Sequence, residues 1–250
     1  MLGRYFPLCL GLAAVLMTHS AFASISLSST RIIFDGAHKE ANVTVRNGGR
    51  TILAQSWLDA GDTAGSAPPF AVTPPLARIE PNQQQLLRIL YEGRGMPTNK
   101  ESVVWLNVQE IPQASAAEVN TLQLAVRQRI KVFFRPEELL GDAAKAPEQL
   151  VWKLENHSGG WILKVLNQSN YHVSLAELKV GEGKNAELVA DSTMITPGEV
   201  RSFTLNRAPQ AGAGHLSFSA INDYGAQQKY VAPLNNTDSR AVRSKDMSSE

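Results

Sequence analysis

Reactive side chains are sparse in this chain, and the few present are badly spaced for catalysis. The single cysteine is Cys9. It falls in a segment that reads as a removable leader, so thiol chemistry and zinc–thiolate sites have no residue to use. Four histidines follow that segment, His38, His157, His172 and His215, and none has another within a helical turn. No Gly-x-Ser-x-Gly, Ser-x-x-Lys or His-Glu-x-x-His run occurs. Gly181-Glu182-Gly183-Lys184-Asn185-Ala186 matches a loose dinucleotide fingerprint, but such a loop must open a helix. Here β-type sequence resumes and Pro197-Gly198 soon interrupts it, so the run reads as a hairpin loop. What remains is charge. Arg127, Arg129 and Lys131 stand at alternate positions in the stretch Leu122–Pro136, LQLAVRQRIKVFFRP.

That alternation defines the element that carries the cations. Leu122, Leu124, Val126, Gln128 and Ile130 point one way, and Gln123, Ala125, Arg127, Arg129 and Lys131 the other. A strict period of two is a β-strand with two unlike faces. Its apolar face is either half-buried in a sandwich of its own or free to be lent to a neighbour.

Around it the chain reads as short strands between turn residues. Ile25–Phe34, Ala41–Arg46, Ile52–Leu58, Ala77–Ile79, Gln85–Tyr91, Val103–Ile111 and the strand from Leu122 form a first set. The break at Pro136-Glu137-Glu138 and the polar, alanine-rich run Asp142–Glu148 mark a boundary. Leu150–Asn156, Gly160–Asn167, His172–Val180, Ala186–Ala190, Val200–Leu205, His215–Asn222 and Gln228–Ala232 form a second set. Two all-β sandwich domains are expected, over 24–136 and 137–234. The polar run 235–250 is expected to be a disordered tail. Thr73-Pro74-Pro75 marks a rigid turn suited to a cis peptide bond.

Residues 1–23 read as a secretory signal: Arg4, an apolar run from Pro7 to Met17, and the small-x-small site Ala21-Phe22-Ala23. The run is too short to span a bilayer, and no later one approaches that length. Losing Arg4 removes one of 24 cations and none of 23 acids, so the mature chain carries no net formal charge. That argues against nucleic acid or an anionic membrane surface as its main partner, since both select excess cation. With no cysteine left, stability rests on burial alone.

Several blocks in order along the chain resemble the periplasmic chaperones of the chaperone–usher pilus-assembly pathway. They are Ser29-Thr30-Arg31 with Phe34-Asp35-Gly36; Thr73-Pro74-Pro75 with Arg78-Ile79-Glu80-Pro81; Met96–Pro112, MPTNKESVVWLNVQEIP; Ile130–Pro136; and Ile221-Asn222-Asp223-Tyr224-Gly225. The resemblance implies two immunoglobulin-like β-sandwich domains with a cleft between them, no enzymatic activity and no cofactor. Arg31 and Lys131 would grip the C-terminal carboxylate of a pilus subunit. Leu122, Leu124, Val126 and Ile130 would be donated to the groove of that incomplete subunit. Glu101, Arg135 and Asp223 would form a salt-bridge network between the domains. The implied partners are fimbrial subunits and an outer-membrane usher, in the periplasm, without nucleotide hydrolysis. Self-association of the free protein is left open. The short segment between Glu110 and Leu122 is similar to the short-loop subfamily. A pilus subunit or adhesin of the same class would instead be one incomplete domain, often with a disulfide.

Overall fold

The computed structural model describes residues 25–61, 67–112, 125–157, 160–183, 186–208, 214–234 and 236–244. The signal region 1–23 lies outside them, as do Leu122, Leu124, Lys184 and Asn185.

Among the described residues the first sandwich contains β1 (Ile25–Leu27), β2 (Arg31–Asp35), β3 (Glu40–Asn47), β4 (Ile52–Asp59), β5 (Phe70–Thr73), β6 (Leu76–Ile79), β7 (Gln84–Tyr91), β8 (Ser102–Pro112) and β9 (Arg127–Arg135). One sheet runs β1-β3-β7-β5 and the other β2-β9-β8-β4-β6. Period-two burial makes the layers. Val43 and Val45 face inward from β3, Leu87 and Ile89 from β7, Val104, Leu106 and Val108 from β8, and Ile130, Val132 and Phe134 from β9. Phe34, Phe70, Tyr91 and Phe134 close the core, with ring centroids 4.6–6.4 Å apart.

The run Ile25–Phe34, expected as one strand, is two. Ser28 N donates to Thr44 O at 2.9 Å, and Thr44 N donates to Ser28 Oγ at 3.0 Å. The ladder with β3 ends there, and the chain crosses to the other sheet. There β2 pairs with β9 in parallel, Arg31 opposite Lys131 and Asp35 opposite Arg135. A second crossing follows β5, a strand the sequence did not announce. The cis Thr73–Pro74 bond turns the chain from one sheet into β6 on the other.

The link to the second sandwich is tight. Gly36 N donates to Arg135 O at 2.7 Å, and a Cβ on Gly36 would lie 2.7 Å from that oxygen and 2.9 Å from Glu137 N. Only glycine fits against those backbone atoms. A short 3-10 helix, Ala143–Gln149, follows, with the Asp142 carboxylate accepting from Ala144 N at 2.9 Å. It satisfies a helix-end donor in the usual manner of an N-cap.

The second sandwich contains β10 (Leu150–His157), β11 (Gly160–Asn167), β12 (Val173–Val180), β13 (Glu187–Ile195), β14 (Val200–Leu205), β15 (Gly214–Ile221), β16 (Gln227–Leu234), β17 (Ser239–Arg240) and β18 (Val242–Arg243). Its sheets run β14-β11-β10-β17 and β13-β12-β15-β16-β18, around Trp152, Phe218 and Tyr230. The glycine-rich run at 181 joins β12 to β13, whose ladder pairs Val180 with Glu187. A strand, not a helix, follows it. The region expected as a disordered tail is corrected in part: β17 pairs with β10 and β18 with β16. Ala241 between them is buried in the core, so a single apolar residue anchors a polar stretch to two open sheet edges.

Candidate functional site

The cations sort themselves by strand geometry. The β8–β9 ladder is regular from Ser102↔Phe134 to Gln109↔Arg127, without a bulge. Strict alternation therefore holds: Ile130, Val132 and Phe134 face the core, while Arg127, Arg129, Lys131, Phe133 and Arg135 face outward. The parallel pairing of β2 adds Arg31 to that outer face, directly beside Lys131.

Arg31 and Lys131 are both half-buried, and neither forms an ion pair among the described residues. Arg31 Nη1 donates to Ile221 O of the second sandwich at 3.0 Å, and its guanidinium lies 5.5 Å from the Phe133 ring centre. Its Nε is buried with no acceptor among the described residues. Burial pushes the Arg31 guanidinium below its ordinary value, against the pull of Asp223 and Glu101. Burial also lowers Lys131, and the neighbouring charge of Arg31 lowers it further. Two desolvated positive charges side by side, without an anion of their own among the described residues, have the chemistry to pair with a small oxyanion.

Behind them the two sandwiches are joined by a charged strut. Arg135 Nε donates to Glu101 Oε2 at 2.7 Å, and its two Nη atoms donate to the two oxygens of Asp223, each at 2.7 Å. Glu101 sits just before β8 with 1% of its side chain exposed. Its other oxygen accepts from His172 N at 2.8 Å and lies 2.9 Å from His172 Nδ1. Glu101 N donates to Asn170 O at 2.8 Å. Every polar atom of the Glu101 side chain is thereby partnered, which is the condition for burying a carboxylate. The network holds Arg135 strongly protonated, its hydrogen bonds to Asp223 and Glu101 outweighing the penalty of burial. A cavity of about 180 Å³ opens beside the strut, lined by Arg31, Phe133, His172 and Tyr224 among others.

The apolar residues read as one face of the strand part company. Leu122 and Leu124 lie outside the described residues. Val126 is 38% exposed, and its carbonyl accepts from Glu110 N at 2.9 Å, so it extends the β9 edge beside β8. Ile130 is 9% exposed and packs in the core of its own sandwich, at the point where β2 begins to pair with β9 at Lys131. From Val126 to Ile130 the side of β9 away from β8 faces no strand among the described residues.

The outer face also holds aromatics that sequence reasoning passed over. Trp105 lies opposite Lys131, and Trp57 lies opposite Asn107. Arg127 lies 5.6 Å from the Trp57 ring centre, Arg129 4.2 Å from that of Trp105, and Lys131 5.3 Å from the same ring. Alternation in Val103–Val108 was enough to place Trp105 outward. Only the cross-strand register puts it against Lys131. His172 had no local signal at all, since its partner Glu101 is 71 residues away.

Family models of the pili and flagellar-assembly chaperones match both halves of the chain, the PapD N-terminal domain over residues 24–140 and the PapD C-terminal domain over 145–232. The probable fimbrial chaperone LpfB of Escherichia coli O157:H7 is 36% identical over 215 residues, covering 83% of this chain and 87% of its own. The crystal structure of the YadV chaperone, a protein of Escherichia coli K12, superimposes with a TM-score of 0.72 at 34% identity, over 85% of this chain and all of that one. The SafB chaperone of Salmonella enterica, solved in complex with the SafA pilin, gives a TM-score of 0.69 at 26% identity, over 90% and 99% of the two chains. The two sandwiches are immunoglobulin-like, as in these relatives. With both domains matched and the cationic pair, the strut and the open strand edge in one frame, the chain belongs to the PapD family of pilus-assembly chaperones.

Proposed function

We propose that this chain is a periplasmic chaperone that captures pilus subunits through an added strand and a carboxylate anchor, then delivers them to an outer-membrane usher. The observation that carries the reading is the pair Arg31 and Lys131, side by side at the domain junction, with no ion-pair partner among the described residues and next to a stretch of β9 edge that faces no described strand. A chain-terminal carboxylate supplies the missing anion, accepting hydrogen bonds from a guanidinium and an ammonium at once. Removing one cation from such a desolvated contact costs about 2–5 kcal/mol.

The edge beyond the cations supplies the rest. A subunit with an open groove pairs its backbone with the exposed side of β9, in the strand-addition mode described for pilin complexes. Leu122, Leu124 and Val126 then enter that groove at alternate positions, each contributing about 1.5–3 kcal/mol before ordering costs. Ile130, held in the chaperone's own core, marks where the lent face ends. The groove and the anchor are read by opposite faces of one strand, which fixes register: the carboxylate sets where each apolar side chain falls. Release needs no nucleotide, because a better-packed strand from the next subunit displaces this one.

The test is capture of a pilus subunit by co-expression and affinity isolation. Arg31→Ala and Lys131→Ala are expected to leave the circular dichroism spectrum unchanged and abolish capture. Full capture by both variants overturns the anchor.

A further inference from the structure

On the outer face of the β2-β9-β8-β4-β6 sheet, aromatic and charged groups are fixed around the Lys131 side chain. Trp105 is its direct cross-strand neighbour, with the Nζ atom 5.3 Å from the ring centre. The indole is itself held. Gly61 packs against its edge, in a left-handed conformation of φ 77° where a Cβ would fall 2.9 Å from Trp105 Nε1. The Arg129 guanidinium lies 4.2 Å from the same ring centre. Arg129 in turn is clamped by Asp59, its Nη2 2.7 Å from Oδ1, while Asn107 Nδ2 donates to Asp59 Oδ2 at 2.6 Å and Gly61 N to Oδ1 at 2.8 Å.

The charges about Lys131 are therefore Arg31 on β2, Arg129 two residues earlier on β9, and Asp59 on β4. Asp59 is committed to Arg129 and Asn107, so among the described residues no carboxylate serves Lys131. An ammonium beside one guanidinium and near another, half-buried, would otherwise swing toward solvent. A ring face attracts a cation through its quadrupole and offers no acceptor that a ligand must displace. We propose that Trp105 is the positioning residue for the anchor: its indole, braced by Gly61 and the Asp59–Arg129 pair, keeps the Lys131 ammonium charged and aimed beside Arg31. The proposal rests on the anchor reading above and adds to it the group that makes the lysine available.

Titration of Lys131 by NMR of its labelled ε-carbon in the free, full-length mature chain tests this without any partner. Trp105→Leu keeps apolar cover but removes the quadrupole, and is expected to lower the Lys131 pKa by about half a pH unit. Trp105→Phe restores a ring face and is expected to recover most of that difference. Trp57→Leu, which faces Arg127, is expected to leave Lys131 unchanged. Should Trp105→Leu fail to fold, Gly61→Ala displaces the indole from its edge and is expected to lower the Lys131 pKa in the same sense. Capture of a pilus subunit, at a pH where Lys131 is part-titrated, is expected to fall by up to about threefold for Trp105→Leu and to recover with Trp105→Phe. An unchanged Lys131 titration in both Trp105→Leu and Gly61→Ala overturns the proposal. If Lys131→Ala itself captures normally, the anchor reading has failed, and the titration still decides whether Trp105 holds the ammonium.

Discussion

Truncating Glu101 should damage the molecule far more than truncating Asp223, although both carboxylates grip the same guanidinium. Glu101 has 1% of its side chain exposed and accepts from Arg135 Nε, His172 N and His172 Nδ1 at 2.7–2.9 Å. Glu101→Ala leaves three buried donors without that acceptor, two of them from the opposite sandwich. Each stranded buried donor costs about 1–3 kcal/mol, and removal of one partner from a buried pair costs about 3–5 kcal/mol, so about 3–5 kcal/mol is expected. Asp223 is 40% exposed, and water replaces its oxygens at Arg135, so Asp223→Ala is expected to cost about 1 kcal/mol. Glu101→Gln keeps an acceptor for His172 but turns an amide toward Arg135, and should fall between. Urea denaturation followed by tryptophan fluorescence measures all three, with the slope against denaturant checked for constancy. Equal costs for Glu101→Ala and Asp223→Ala, or a cost below about 1 kcal/mol for Glu101→Ala, would refute the assignment of the strut's strength to burial.

Three further outcomes are expected. Val126→Asp should leave the melting temperature within experimental error and weaken subunit capture, while Ile130→Asp should unfold the first sandwich, because only the second side chain is interior; equal melting temperatures would contradict this. Gly36→Ala should lower stability by about 2 kcal/mol or more in a thermal melt, since its Cβ meets Arg135 O at 2.7 Å and backbone cannot yield as a side chain does. Burial and then Arg31 hold Lys131 below its ordinary 10.5, so the unfolded chain binds that proton more tightly than the folded one. Stability of the free protein relative to a Lys131→Met variant should therefore rise as pH climbs from the folded value to 10.5, while subunit capture falls across the same window; parallel pH profiles for the two proteins would contradict it.

The second sandwich shows how far alternation carries. Trp152, Leu163, Leu175, Leu216 and Phe218 are buried where period two in their segments puts them inward. In the first sandwich the same rule made one strand of Ile25–Phe34, because hydropathy is blind to a change of sheet. The crossing at Ser28 depends on a hydrogen bond to Thr44, and that partner exists only once β3 is in place. The tail failed for a related reason: nothing local distinguishes Ala241 from any small surface residue until two sheet edges offer it a seat.

The blocks that carried the family resemblance, the cation spacing of β9 and the lack of catalytic residue patterns were all fixed by the order of residues, because strand parity and motif identity are local properties. Which of those residues meet was decided elsewhere. Arg31 reaches Lys131 across 100 positions through a parallel pairing, Glu101 finds His172 in another domain, and Trp105 faces the lysine by register alone. Ile130 follows the same parity as Val126, yet one is interior and the other exposed, because the reach of β2 along β9 sets where the sandwich stops. Contacts between distant segments depend on how sheets stack and slide, and those degrees of freedom are settled by the packing of whole faces rather than by any single stretch of chain.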